Sequence, residues 1–234
     1  MKNGTVVFAP HPDDEVLACG GLIAKRLNEG YNVSVVFITD GRNALKEIGV
    51  DQPSPTEFRK IRRKEAICAA EILGLNSANL FFFDIEDGSL QDHEESVRRR
   101  IVNMLGKGVP REVYFPQGKE FHADHRATNR LVRVAVGTLH HRPIMCEYAI
   151  AWRYPLNLLA HLRPDKTSSL LLSMIIGRRI IRINIAEFLA LKKRAVEQYE
   201  SQFQVMFPNQ KRPALERPFV QRFLRDEEVF FVER

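Results

Sequence analysis

Two short stretches of the sequence combine histidine with carboxylate side chains: residues 11–15 read HPDDE, and residues 122–125 read HADH. Imidazole nitrogens and carboxylate oxygens are typical ligands of catalytic zinc, which keeps a further position open for water. Histidines and carboxylates beside such a site move protons as general acids and bases. The two stretches together indicate metal-dependent chemistry on a water molecule.

The spacing within each stretch supports one shared metal ion. A proline turn separates His11 from Asp14 at the start of a predicted helix, so both side chains can point to one position. His125 lies one turn into another predicted helix, on the inward-facing stripe that continues through Asn129 and Val132. Two histidines and one aspartate suit zinc and also suit Fe²⁺, so the spacing leaves the metal open.

Each stretch taken alone also has an ordinary explanation. Acidic residues at positions 13–15 would stabilise a helix N-terminus without any metal. His122 and His125 are three residues apart, which is the spacing of two neighbours on a helix surface. The metal interpretation therefore depends on whether the fold brings the two stretches together.

The first two thirds of the chain alternates between strand-like and helix-like patterns. Short runs rich in β-branched and aromatic residues predict strands at 5–10, 33–39, 78–84 and 112–116. Between and after them, helical spacing of apolar residues predicts helices at 14–29, 57–73, 92–105 and 123–139. This alternation predicts an α/β fold, Rossmann-like, in which helices flank a mainly parallel sheet.

The C-terminal part continues the same fold less regularly. We expect further strands at 144–150 and 180–185, a helix at 187–203 and a last amphipathic stretch at 219–232. We interpret residues 1–234 as a single domain with C-terminal additions. A Leu- and Arg-rich insertion at 152–179 is expected to cover the site or to form an oligomer or lipid-facing surface; a buried helix is the alternative.

Both His/Asp stretches follow predicted strands, and this placement favours a shared site. Active sites of such sheets lie outside the carboxyl ends of the parallel strands. HPDDE follows the first strand and HADH follows the fourth, while the acidic turns at 39–41 and 86–88 follow the second and third. We therefore expect all four loops to open on one edge of the sheet.

The composition excludes several other classes of protein. The 234 residues carry a net charge of +6, with an acidic first half and a basic second half. The three cysteines form no CxxC pair, and the basic residues are not interleaved with aromatic residues as base stacking requires, so we expect no thiolate site and no nucleic-acid partner. No glycine-rich turn follows the first strand, which argues against nucleotide chemistry. With neither a signal-like nor a membrane-spanning run, the expected location is the cytoplasm.

These residues resemble the PIG-L/LmbE-like family of zinc-dependent N-deacetylases. The resemblance rests on HPDDE and HADH and extends to residues 39–41, to Arg62-x-x-Glu65, to Asp87-Gly88 and to residues 192–202. It departs from the family at Ala123, where proline is frequent, and at the insertion 152–179. The family implies hydrolysis of the acetamide of an amino sugar, typically an N-acetylglucosamine glycoside, to a free amine and acetate.

The resemblance also implies a role for each site residue. His11, Asp14 and His125 would bind one zinc ion per chain, and Asp13 would act as the general base toward its water. His122 would face the developing oxyanion, and Asp124 would orient His122. Two further positions match the family near the substrate, Arg62 and Asp87, although an ordinary ion pair between Arg62 and Glu65 explains the arginine nearly as well.

Two questions stay open at the level of sequence. The resemblance implies an amino-sugar substrate that is either a small molecule or lipid-linked, and the chain is compatible with a homo-oligomer. A non-catalytic alternative is a metal-binding or partner-binding protein on the same fold. The presence of Asp13 and His122 argues against that alternative, because metal binding alone needs neither.

Overall fold

The computed structural model describes residues 4–108, 110–140, 142–150 and 178–232. In these ranges the chain forms one seven-stranded sheet in the order β3-β2-β1-β4-β5-β7-β6. Its strands are β1 (Gly4–Ala9), β2 (Asn32–Thr39), β3 (Leu80–Ile85), β4 (Glu112–Pro116), β5 (Ile144–Tyr148), β6 (Arg179–Asn184) and β7 (Glu227–Val232). The first five are parallel, and β7 pairs antiparallel with both β5 and β6.

Helices cover both faces of the sheet. They are α1 (Asp14–Asn28), α2 (Pro55–Ile72), α3 (Glu94–Gly106), α4 (Ala123–Gly137), α5 (Leu189–Val196), α6 (Glu200–Phe203) and α7 (Arg217–Val220). Apolar residues of α1, α2 and α5 form one core layer, and those of α3 and α4 form the other. This arrangement confirms the expected α/β fold with a mainly parallel sheet.

Strand β1 shows why its sequence is apolar at nearly every position. Val7 and Ala9 pack into the first core layer, whereas Val6 and Phe8 pack into the second. Successive side chains of a strand point to opposite faces, so a central strand covered on both sides buries all of them. The carboxyl end of such a strand is held rigidly, which suits it to position a site.

The prediction of one helix over 187–203 is wrong. The structure has two helices there, α5 and α6, separated by residues 197–199. Because of the interruption, Tyr199 lies in the core, where its hydroxyl donates a hydrogen bond to Glu15 Oε1. The amide of Ser201 donates to Glu65 Oε1 at 2.7 Å. These tertiary contacts outweigh the local helical pattern.

The last amphipathic stretch, 219–232, was predicted without a secondary structure, and it contains the end of a short helix and a strand. Residues 217–220 form a short helix, and Glu227–Val232 is the strand β7 between β5 and β6. Residues 152–177 of the predicted insertion lie outside the described residues, so the prediction for 152–179 stays a prediction. Among the described residues, no helix is long and apolar enough to cross a membrane.

Candidate active site

The two His/Asp stretches meet because their strands are neighbours. β1 and β4 pair in parallel, with Thr5 opposite Glu112 and Val7 opposite Tyr114, so both strands end on the same edge. HPDDE leads from β1 into α1, and HADH leads from the loop after β4 into α4. His125 and the stripe through Asn129 and Val132 are buried, as the helical spacing predicts.

Three candidate ligand atoms converge at this edge. His11 Nδ1 lies 3.2 Å from His125 Nε2 and 3.5 Å from Asp14 Oδ2, and His125 Nε2 lies 3.3 Å from Asp14 Oδ2. Ligands of a tetrahedral zinc ion with bonds of about 2.0–2.1 Å stand roughly 3.4 Å apart. The backbone N–H of His11 donates to Asp14 Oδ2 at 3.0 Å and holds that oxygen in place. The donor set and its separations therefore fit one metal ion.

The electrostatics of the cluster favour positive charge at this point. Burial by itself raises the pKa of Asp14, but His125 and the hydrogen bonds from both histidines hold it well below its usual range. Burial lowers the pKa of His11, yet Asp87, Asp124 and Asp14 together raise it well above its usual value. Buried carboxylates that favour a proton on a histidine also favour a cation in the proton's place.

Asp87 and Asp124 lie behind His11, on the ring edge away from Asp14. His11 Nε2 is 3.1 Å from Asp87 Oδ1 and 3.3 Å from Asp124 Oδ2. The Asp124 carboxylate also accepts hydrogen bonds from the backbone amides of Gly88, at 2.8 Å, and Leu90, at 3.3 Å. Although burial raises the pKa of Asp87, the neighbouring His11 lowers it to about 2. A carboxylate behind a ligating histidine fixes the tautomer that leaves Nδ1 free to bind metal.

Asp13 is held in an unusual backbone conformation next to the candidate ligand Asp14. Its φ of 119° is sparsely populated for any residue other than glycine, and such strain persists where surrounding contacts enforce it. Its amide donates to Glu15 Oε2 at 3.0 Å, and its Oδ2 lies 3.1 Å from the Arg62 guanidinium. Burial raises the pKa of Asp13 to about 7 against the lowering effect of Arg62.

His122 caps the N-terminus of α4, and its ring lies close to those of His11 and His125. Its ring centroid is 4.5 Å from that of His11, and the backbone amide of Asp124 donates to its Nδ1 at 3.3 Å. Because Nδ1 accepts, the neutral ring carries its proton on Nε2 and presents a donor there. In this structure Asp124 thus orients His122 through its amide, while its carboxylate faces His11.

Arg62 is almost fully buried, with 1% of its surface exposed. Its guanidinium donates to the carbonyl of Pro12, lies beside Asp13, and is 3.7 Å from Glu65 Oε2. The ring of Tyr199 lies under it, with 5.3 Å between the guanidinium carbon and the ring centroid. The ion pair with Glu65 that the spacing allows is therefore present, but the closer carboxylate is Asp13.

A cavity of about 290 Å³ opens onto these groups. This volume lies at the lower end of the range for small-molecule sites. The polar floor consists of His11, Asp13, Asp14, Arg62, Asp87, His122 and His125. The apolar part of the lining, called here the apolar wall, includes Ala44, Ile48, Ile150, Leu215 and Phe219.

Two groups of the site were missed by the sequence reasoning. Glu120 lies behind His125, with 3.9 Å between Glu120 Oε2 and His125 Nδ1. The second is the pair of Glu15 and Tyr199: the Glu15 carboxylate accepts hydrogen bonds from the amide of Asp13 and from the hydroxyl of Tyr199. Glu120 is only two residues before His122, and a carboxylate so close to the motif was the available signal.

The comparisons with known proteins agree with this geometry. Residues 6–136, more than half of the chain, match the family model PIG-L, described as GlcNAc-PI de-N-acetylase. The chain belongs to the PIG-L family. The matched range runs from β1 to the end of α4 and so includes both His/Asp stretches.

Curated PIG-L-type relatives match parts of the chain. Diacetylchitobiose deacetylase of Thermococcus kodakarensis is 32% identical over 120 residues, which are 50% of this chain and 43% of that protein. A probable N-acetyl-alpha-D-glucosaminyl L-malate deacetylase of Bacillus cereus is 28% identical over 64% of this chain and 69% of its own length. The 4-oxalmesaconate hydratase of Pseudomonas putida is 31% identical over 42% of this chain and 38% of its own length. The chain thus spans less than half of two of these relatives.

The fold as a whole is also found in solved structures. N,N'-diacetylchitobiose deacetylase from Pyrococcus horikoshii superposes with a TM-score of 0.68 over 98% of this chain and 83% of that chain. At 23% identity this likeness supports the fold alone. The superposition extends beyond residues 6–136, the range that the family model matches.

Proposed function

We propose that this protein is a metal-dependent hydrolase that removes the acetyl group from an N-acetylated amino sugar. The observation that carries the proposal is the convergence of His11 Nδ1, His125 Nε2 and Asp14 Oδ2 within 3.2–3.5 Å of one another. Asp13 and His122 line the same cavity. A site that only stored metal would need neither a carboxylate nor an imidazole beside the ligands.

The substrate class follows from the family and from the named relatives. Relatives of this chain act on diacetylchitobiose and on an N-acetyl-glucosaminyl malate, both of which contain N-acetylglucosamine. We infer a GlcNAc-type glycoside whose acetamide reaches the polar floor of the cavity. The apolar wall would then contact the rest of the substrate, which is either a small molecule or a lipid-linked sugar.

One zinc ion per chain would be held by His11, Asp14 and His125. When bound, zinc supplies Lewis acidity, which lowers the pKa of water to about 7 and polarises a carbonyl. Asp87 and Asp124 would keep the ring of His11 in the ligating tautomer. Fe²⁺ suits the same donors, and elemental analysis of the purified protein distinguishes the two metals.

The side chains around the metal would move the protons of the reaction. Asp13 accepts a proton from the attacking water as its oxygen bonds to the acetyl carbon. His122 donates a hydrogen bond from Nε2 to the carbonyl oxygen as negative charge develops there. The nitrogen then takes up the proton that Asp13 accepted, the C–N bond breaks, and the products leave as the amine and acetate. Arg62 holds the Asp13 carboxylate in position through their 3.1 Å contact.

The hydratase relative supplies a second candidate reaction. Its printed name, 4-oxalmesaconate hydratase, indicates that a relative of this chain catalyses the addition of water. The test is to incubate the zinc-loaded protein with N,N'-diacetylchitobiose, N-acetylglucosamine glycosides and 4-oxalmesaconate. Stoichiometric release of acetate and primary amine supports deacetylation, whereas consumption of 4-oxalmesaconate alone would replace it with hydration.

A further inference from the structure

One ring nitrogen of His125 has no hydrogen bond to any residue that the structure describes. Its Nε2 faces His11 and Asp14, whereas its Nδ1 points away from them and is buried without a hydrogen-bond partner in the described ranges. Buried polar atoms of proteins are nearly always paired, so such an atom calls for an explanation. His11 offers the comparison: its second nitrogen already has the carboxylates of Asp87 and Asp124 within 3.3 Å.

Glu120 is the carboxylate closest to the unpaired nitrogen in the contacts of His125. Its Oε2 lies 3.9 Å from His125 Nδ1, about 1 Å beyond an ordinary hydrogen bond. Glu120 is 1% exposed, and its Oε1 accepts the amide of Ile150 at 2.8 Å. Its backbone carbonyl accepts from the guanidinium of Arg126 at 2.9 Å. Glu120 is thus held through Oε1 of its side chain and through its backbone carbonyl, and its Oε2 faces His125 Nδ1.

We propose that Glu120 is a positioning residue that accepts the Nδ1–H of His125 when the site binds its metal. A neutral imidazole that ligates through Nε2 must carry its proton on Nδ1, and a buried N–H requires an acceptor. Catalytic hydrogen bonds that are long in the free protein often shorten in the complex. The site would then have a carboxylate behind each of its two histidine ligands. This inference rests on the proposed metal site and adds a residue that the sequence motif does not contain.

A purely structural role for Glu120 is the competing explanation, since it also holds the amide of Ile150. The variant Glu120→Gln separates the two roles because its amide oxygen still accepts from Ile150 while the negative charge is lost. Glu112→Gln is the matched control. Glu112 is another buried carboxylate, at the opposite end of β4, where it accepts a hydrogen bond from the Thr5 hydroxyl at 2.9 Å.

The test is a Zn²⁺ titration of the metal-free proteins in competition with a chromophoric chelator. Removing an outer carboxylate of this kind typically weakens metal affinity 10–100-fold. We expect a rise of roughly that size in the Zn²⁺ Kd of Glu120→Gln, with Glu112→Gln unchanged. Thermal unfolding of both metal-free variants measures any loss of stability separately from the loss of affinity.

A second measurement uses the wild-type protein and so does not depend on the folding of a variant. Long-range ¹H–¹⁵N NMR of the zinc-loaded wild-type protein should show His125 protonated at Nδ1, with a proton resonance shifted downfield by a carboxylate acceptor. A wild-type Kd for Glu120→Gln, an equal loss in Glu112→Gln, or a His125 ring ligating through Nδ1 would each overturn the assignment. If the wild-type protein binds no Zn²⁺, both this inference and the proposed function fail. If the wild-type protein and Glu120→Gln bind Zn²⁺ equally tightly, only this inference fails.

Discussion

Replacing Asp13 with asparagine tests the proposed chemistry most directly. The change is nearly isosteric, and asparagine tolerates positive φ better than most residues, so the backbone at φ 119° should persist. In the proposed site Asp13 is beside the metal ligands without being one of them, so metal content should not change. The variant therefore removes proton acceptance and leaves the site otherwise assembled.

Two magnitudes follow from the contacts of Asp13. Loss of a positioned general base costs about 10²–10⁴ in rate, which corresponds to roughly 3–5 kcal/mol of transition-state stabilisation. Arg62 would lose its charged partner at 3.1 Å but keep the carbonyl of Pro12 and the more distant Glu65. We expect the free energy of unfolding to fall by only about 1–3 kcal/mol, because the buried guanidinium retains partners.

The assay is amine release at saturating substrate by zinc-loaded protein, together with zinc content and urea unfolding. Asp84→Asn is a matched control, since Asp84 also has a positive φ, of 55°, and pairs with the neighbouring Arg63 of α2 at 3.0 Å. Asp84 does not line the cavity, so its variant should stay within about threefold of wild type. Turnover within tenfold of wild type in zinc-loaded Asp13→Asn, or an equal loss in Asp84→Asn, would refute the assigned role.

The remaining predictions concern three other side chains. His125→Ala should lose most of its bound metal, measured by elemental analysis after gel filtration, and full occupancy would remove His125 from the ligand set. His122→Ala should keep its metal yet lose about 10²–10³ in kcat, the usual effect of deleting one oxyanion donor; an increase in KM alone would place it in substrate binding instead. Tyr199→Phe leaves the buried carboxylate of Glu15 with one donor fewer and should lower the free energy of unfolding by about 1–3 kcal/mol, so an unchanged urea midpoint would contradict that account.

Much of the fold was accessible from the sequence because its central strands are apolar at nearly every position. Burial on both faces leaves no other pattern for a parallel strand, and the strand runs at 5–10 and 112–116 lie within one residue of β1 and β4. The convergence of the two His/Asp stretches then followed from strand direction alone. The inward direction of His125 followed from helical periodicity.

The parts that sequence reasoning missed depend on contacts between distant residues. The break between α5 and α6 serves a hydrogen bond from Tyr199 to Glu15, 184 positions away, and no local pattern encodes it. Strand β7 forms only because β5 and β6 offer edges on either side of it. Local propensity weakly constrains such segments, and tertiary pairing decides them.

The contacts that hold the proposed metal ligands in place are the least local feature of the site. The motif supplies His11 and Asp14 from one loop, but the carboxylates behind His11 come from the loops after β3 and β4. Each histidine ring can turn about its own bonds, so a ligand motif by itself does not fix which nitrogen faces the metal. Buried carboxylates from neighbouring loops fix the orientation of the ring. The carboxylate of Asp124 lies beside His11 Nε2, and its backbone amide donates to His122 Nδ1. The carboxyl ends of the parallel strands β1, β3 and β4, which lie on one edge of the sheet, are therefore part of the proposed metal site, as much as the ligands themselves.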